Sequence, residues 1–153
     1  MSQNIYATCI NIKSKGVLLL GDSGSGKSDL ALRLITLFSA KLISDDRTEI
    51  SKKRTKIIAS TPKTIKGLLE VRGVGIVKFK HQKETKVDLI IKLTDKKIER
   101  IPQKEEYDLE GIKIPMFYLN PFEVSAPSKV LAMLSLLWGF ENRGWFIMLN
   151  ILI

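Results

Sequence analysis

Eight consecutive residues constrain this chain more than any other feature. Gly21-Asp22-Ser23-Gly24-Ser25-Gly26-Lys27-Ser28 fits the pattern G-x-x-x-x-G-K-[ST] at every position. Before it stands a wholly apolar run, Val17 to Leu20. After it Leu30, Ala31, Leu34, Ile35 and Phe38 recur at helical spacing, with Asp29 and Arg33 turned outward. The flanks therefore predict a strand entering the loop and an amphipathic helix leaving it. In such a loop the glycines let successive backbone N–H groups point into one cradle for the β- and γ-phosphates of a nucleoside triphosphate. Lys27 neutralises phosphate oxygens, the Ser28 hydroxyl can ligate Mg²⁺, and the helix presents its positive end to the anion.

The 153 residues suit one domain with a proper core, and 44% hydrophobic with 27% charged residues is an ordinary globular mixture. The single cysteine, Cys9, has no internal disulfide partner, and the single histidine, His81, has no companion for a zinc site. Cys9 reads as a small core residue of a strand and His81 as a solvated loop residue. A centre built on His or Cys is thereby set aside. The formal net charge of +9 is spread over short groups, Lys52-Lys53-Arg54, Lys78 to Lys86 and Lys92 to Arg100, with no interleaved aromatics. That distribution reads as solvated surface rather than a nucleic-acid track. The N-terminus lacks a basic and then apolar leader. The longest apolar candidate for a membrane span, Trp145 to Ile153, is short and contains Asn150. The expected setting is cytoplasmic, with no membrane partner.

Along the chain, Ile5 to Ile12 reads as a strand joined through the turn Lys13 to Gly16 to the strand before the loop. Lys41 to Ser44 is a further short strand that stops at Asp45-Asp46. Beyond it the pattern is mainly β: Thr48–Ser51, Thr55–Ser60, Gly75–Phe79, Val87–Leu93 and Ile114–Leu119. A last helix is expected from Pro127 to about Trp138, with Ser125 or Ala126 near its cap. The overall reading is an α/β, P-loop-containing chain with a β-rich sheet and few helices. Its domain covers residues 1–139, and residues 140–153 form a tail without an assigned role.

Two further segments bear on chemistry. Asp45-Asp46 sits at a strand end, where a carboxylate can hold Mg²⁺ or take a proton from an attacking hydroxyl. An Asp-Asp pair is also an ordinary polar turn, but the phosphate loop one helix upstream favours function. In Leu69-Glu70-Val71-Arg72-Gly73-Val74-Gly75-Ile76-Val77, Glu70 and Arg72 alternate with apolar residues and are expected on one face of a strand. Alone, that segment reads as a strand with a bulge.

Together the loop, Leu-Ile-Ser-Asp-Asp and Leu-Glu-Val-Arg-Gly-Val-Gly-Ile-Val resemble the C-terminal catalytic domain of HPr kinase/phosphorylase, over Ile5 to about Ala132. Pro121-Phe122-Glu123-Val124-Ser125-Ala126-Pro127 resembles the ending of the short, single-domain α-proteobacterial members, which lack the N-terminal domain of longer relatives. The resemblance implies a mixed sheet like that of phosphoenolpyruvate carboxykinase, and an ATP- and Mg²⁺-dependent kinase acting on a serine of the phosphocarrier HPr. It assigns ATP to Lys27 and the loop backbone, Gly21 to Ser28. Mg²⁺ falls to Ser28 and Glu70 with Asp46 beside them, the general base to Asp45, and a catalytic place to Arg72. It also implies a homo-oligomer, commonly a hexamer. Three departures from the family pattern stand out: Tyr6 in place of a histidine, Asp29 in place of a glutamate, and Pro121-Phe122-Glu123 in place of a Pro-Gly-Arg loop. A phenol does not carry a proton near neutral pH as imidazole does. The departures therefore bear on phosphorolysis, and the kinase direction is the one expected. A small-molecule P-loop kinase, or a nucleotide sensor without transfer activity, are the alternatives; the first usually carries an arginine-rich lid, which the sequence lacks.

Overall fold

The computed structural model describes residues 2–62 and 66–139; the tail assigned to 140–153 lies outside them. Two long strands organise the molecule. β1 (Ser2–Ile12) pairs through its first half with β4 (Arg47–Lys53) and through its second half with β2 (Lys15–Leu20) and the short β3 (Lys41–Ser44). β8 (Glu84–Leu93) begins against β5 (Lys56–Ser60), then runs parallel to both β2 and β10 (Ile112–Leu119). β4 and β5 form a hairpin, and β9 (Glu105–Leu109) closes the far edge against β10. One layer thus reads β3-β1-β2-β8-β10-β9 and mixes parallel with antiparallel pairs. The other, β1-β4-β5-β8, is wholly antiparallel and shares its outer strands with the first.

Helices α1 (Lys27–Phe38) and α2 (Ala126–Trp138) cover the mixed layer. Ile10, Ile12, Val17, Leu19, Leu89 and Ile91 join Leu30, Leu34, Val130 and Leu134 of the helices in one core. The intervening residues Cys9, Leu18 and Ile90 meet Ile50, Ile57 and Ala59 of the antiparallel layer in a second core. This is why Val17–Leu20 and Leu89–Ile91 are continuous apolar runs: a strand buried on both faces has no polar side to alternate with. Burial of each such Leu or Ile contributes about 1.5–3 kcal/mol. Cys9 is fully buried and His81 is exposed, as the sequence implied. Ser125 stands at the N-cap position of α2 without a side-chain capping bond, Pro127 occupies its first turn, and Gly139 ends it in the left-handed region.

Two expectations require correction. Leu69 to Val77 is a hairpin rather than one bulged strand. β6 (Leu68–Val71) and β7 (Gly75–Lys78) pair antiparallel around a turn closed by Val74 N–H donating to Val71 O at 3.0 Å. Gly73, at φ 82°, reverses the chain there, a conformation other residues resist. Arg72 consequently lies in the turn and does not share a strand face with Glu70. Arg33 does not face solvent either. Its guanidinium donates to the carbonyls of Pro121 and Glu123, so α1 holds the loop that follows β10. Sequence reading also missed β9, because Glu-Glu-Tyr-Asp-Leu is an edge strand that keeps its charges in solvent.

Candidate active site

The C-terminal ends of β2, β3, β8 and β10 lie at one edge of the mixed layer, because β3 is antiparallel to β1, β1 to β2, and β2, β8 and β10 are parallel. The phosphate loop leaves this edge from β2. Ser25 N–H donates to Asp22 O at 3.0 Å, and Leu30 N–H donates to Gly26 O at 2.9 Å, opening α1. The Lys27 ammonium is folded back on the loop, donating to Gly21 O at 2.7 Å and Asp22 O at 3.0 Å, with Asp46 Oδ1 at 3.9 Å. Lys27 is only 4% exposed. A buried cation held chiefly by neutral carbonyls makes the loop attractive to an anion. Ser25 Oγ is buried without a hydrogen-bond partner, a donor the loop itself leaves unused. These features fit a bound polyphosphate.

At the end of β3 the chain turns sharply through Asp46, at φ 64°. Arg47 N–H donates to Asp45 O at 2.6 Å, and Ser44 Oγ donates to Arg47 O. The turn aims Asp45 at α1, where Ser28 Oγ donates to its Oδ1 at 2.6 Å. From β1, Thr8 Oγ1 donates to the same oxygen at 3.1 Å and accepts the Asp46 amide at 3.2 Å. Burial pushes the Asp45 carboxyl above the usual carboxylate range. The bonds from Ser28 and Thr8 pull it down, the neighbouring Asp46 charge raises it, and the Glu70 amide lowers it.

One cavity of about 510 Å³ joins these parts. Ser23, Gly24, Gly26, Lys27, Ser28, Asp45, Asp46, Glu70, Arg72 and Phe122 are among its walls. The hairpin turn that displaced Arg72 from the strand still delivers it to the cavity beside Glu70. Among the described residues no three His, Cys, Asp or Glu side chains form a ready metal cage. The oxygen donors of Ser28, Asp46 and Glu70 fit Mg²⁺ of the kind that takes one or two carboxylates and completes its shell with phosphate and water. Gly21 and Asp22 border a second cavity instead, of about 440 Å³, together with Tyr6, Lys92 and Tyr107. Tyr6, which the resemblance sets at a histidine position, is exposed and meets Arg47. The Arg47 guanidinium lies 5.2 Å from its ring centre and 3.4 Å from its hydroxyl.

Sequence reasoning missed Thr8, Arg33 and Phe122. Thr8 left a faint signal as the one hydroxyl in Ala7-Thr8-Cys9-Ile10, though threonine is also a good strand former.

The family model of the HPr serine kinase C-terminal domain matches residues 1–133. The chain belongs to this family. The HPr kinase/phosphorylase of Caldicellulosiruptor bescii is 32% identical over 151 residues, covering 90% of this chain and 47% of that protein. That of Malacoplasma penetrans is 36% identical over 130 residues, covering 76% and 42%. The chain therefore spans less than half the length of either relative. The structure of the Hpr(Ser) kinase/phosphatase from Coxiella burnetii matches at a TM-score of 0.76 and 24% identity, over 86% of this chain and 93% of that one. The β-rich mixed sheet with few helices is thus the fold of an HPr kinase. No helix among the described residues is long and apolar enough to cross a membrane.

Proposed function

We propose that this chain is an ATP- and Mg²⁺-dependent kinase that phosphorylates a serine of an HPr-like phosphocarrier protein. The supporting observation is the shared cavity, in which the Lys27 loop and the Asp45 carboxylate meet through the 2.6 Å bond from Ser28. Lys27 and the loop amides hold the triphosphate, and Arg72 meets charge on the transferred group. Ser28, Glu70 and Asp46 would hold Mg²⁺, which would supply charge neutralisation to the phosphate oxygens. Asp45 accepts the proton of the acceptor serine as its oxygen bonds to the γ-phosphorus. The bond from that phosphorus to the bridging oxygen breaks, and ADP leaves with the electron pair. A base is needed because a serine hydroxyl is a poor nucleophile until its proton is removed.

The kinase direction is favoured over phosphorolysis, since Tyr6 cannot shuttle a proton as histidine would and its side chain is engaged by Arg47. A homo-oligomer, hexameric in the family's common form, and a cytoplasmic setting belong to the same reading. Transfer of radiolabelled γ-phosphate from ATP to purified HPr tests it, with Asp45→Asn as control. Label on an HPr serine that disappears in the variant is the expected result. ATP binding without label would end the HPr assignment and leave a nucleotide sensor.

A further inference from the structure

We propose that Phe122 forms the nucleoside end of the site, its ring serving as a stacking platform for the purine base of the bound triphosphate. The inference rests on the reading of Gly21–Ser28 as a nucleotide phosphate loop. It does not depend on which acceptor is phosphorylated.

Strand order supplies the first argument. In the mixed layer β3 lies two strands to one side of β2, and β10 lies two strands to the other, about 10 Å each way. All three end at the same edge. The phosphate loop therefore emerges midway between Asp45, after β3, and Phe122, in the loop after β10. A triphosphate whose γ-phosphorus faces Asp45 has to direct its nucleoside the other way, and Phe122 stands on that side.

Local construction supplies the second. Phe122 is 66% exposed yet lines the same cavity as Gly24, Gly26, Lys27 and Asp29. Its backbone is fixed from several directions. Its N–H donates to Asn120 Oδ1 at 3.0 Å, and the carbonyls on either side, of Pro121 and Glu123, are held by Arg33. Arg33 is itself paired with Asp29 at 3.0 Å, and Glu123 with Lys129 at 2.5 Å. Pro121 packs on Gly26 so closely that a β-carbon there would sit 2.8 Å from its Cγ; the Phe122 ring would be 3.4 Å from the same atom. An aromatic ring left in solvent on a turn this restrained is preorganised for a flat partner, because the ordering cost is met in the fold. Every base offers a π-face to such a ring.

The test measures binding of ATP and of inorganic tripolyphosphate to the full chain by calorimetry, for wild type, Phe122→Ala and Phe122→Trp. The expected result is about a tenfold loss of ATP affinity in Phe122→Ala, unchanged tripolyphosphate affinity, and ATP affinity kept in Phe122→Trp with altered indole fluorescence. An equal loss for both ligands would mean that the ring only shapes the loop, and the proposal falls. Unchanged ATP affinity also overturns it, and a raised KM for HPr in that variant would reassign the ring to the acceptor. Failure of wild type to bind ATP removes the phosphate-loop reading and this one together. ATP binding without transfer to HPr removes the acceptor assignment alone, and the two-ligand comparison still decides the role of Phe122.

Discussion

The Thr8 hydroxyl, fully buried in β1, donates to Asp45 Oδ1 at 3.1 Å while accepting the Asp46 amide at 3.2 Å. It thereby ties the side chain of one aspartate to the backbone of the next. A turn with a non-glycine residue at positive φ needs such support to hold one geometry. Thr8→Val keeps the shape, removes the donor and strands the Asp46 N–H, at a cost of about 1–3 kcal/mol. On the kinase reading proposed above, the expected result is a kcat lowered about tenfold with ATP affinity unchanged, since about 1.4 kcal/mol of added barrier is a factor of ten in rate. Thr8→Ser should recover most of the rate. Steady-state kinetics beside calorimetry separates the two quantities.

Asp45 links pH to both rate and stability. Its folded-state carboxyl is raised above the ordinary value, burial being the main cause. Such a group contributes stability that is complete below the unfolded pKa and lost as pH rises through the folded one. Asp45→Asn carries no charge at any pH. Its stability relative to wild type should therefore grow as pH climbs from about 4, the ordinary Asp value, through the raised one. On the proposed role of Asp45 as base, transfer should fall by about 10²–10⁴-fold in the variant, and the wild-type rate should rise with pH as the carboxyl deprotonates through its raised pKa. Urea unfolding at a series of pH values, paired with the rate profile, checks both signs.

How legible the site was depended on how local each signal is. The Gly21–Gly26 turn between strand and helix, α1 and the doubly buried β2 follow from consecutive residues, and the sequence located these elements closely. Asp45 and Asp46 could be placed at a strand end for the same reason. The roles of Thr8 and Arg33 arise between elements: β1 meets the end of β3 only through sheet pairing, and α1 meets the loop after β10 only through packing. No periodicity encodes those encounters. The misreading of Leu69 to Val77 has another origin. Alternating Glu70 and Arg72 satisfied the strand pattern, and the glycines that signal a reversal equally suit a bulge.

Lys27 should control nucleotide binding separately from folding. Its ammonium joins the Gly21 and Asp22 carbonyls, so Lys27→Met is expected to lower stability by about 1–3 kcal/mol. Wild type with MgATP at a hundred times Kd should gain about 2.7 kcal/mol. For a chain of this size that raises Tm by roughly 5–10 °C. Lys27→Met should show no such rise at the same concentration. Thermal melts with and without MgATP distinguish the intrinsic effect from the ligand effect.

Gly26 and Gly24 form a matched pair for measuring how strongly the loop after β10 leans on the phosphate loop. Both have positive φ, 98° and 80°, so alanine at either carries backbone strain of about 1–3 kcal/mol. Only at Gly26 would the new β-carbon meet a neighbour, Pro121 Cγ at 2.8 Å; at Gly24 nothing lies within 4 Å. Pro121 cannot retreat freely, because its carbonyl is held by Arg33. Gly26→Ala should therefore be less stable than Gly24→Ala by a further ~1–3 kcal/mol, the usual cost of overpacking. Arg33→Ala releases the carbonyl, and in that background the difference should shrink. Urea unfolding of the two alanine variants, alone and with Arg33→Ala, measures it. Equal destabilisation of the two in the wild-type background would show that Pro121 yields at little cost, and that Arg33 does not anchor it.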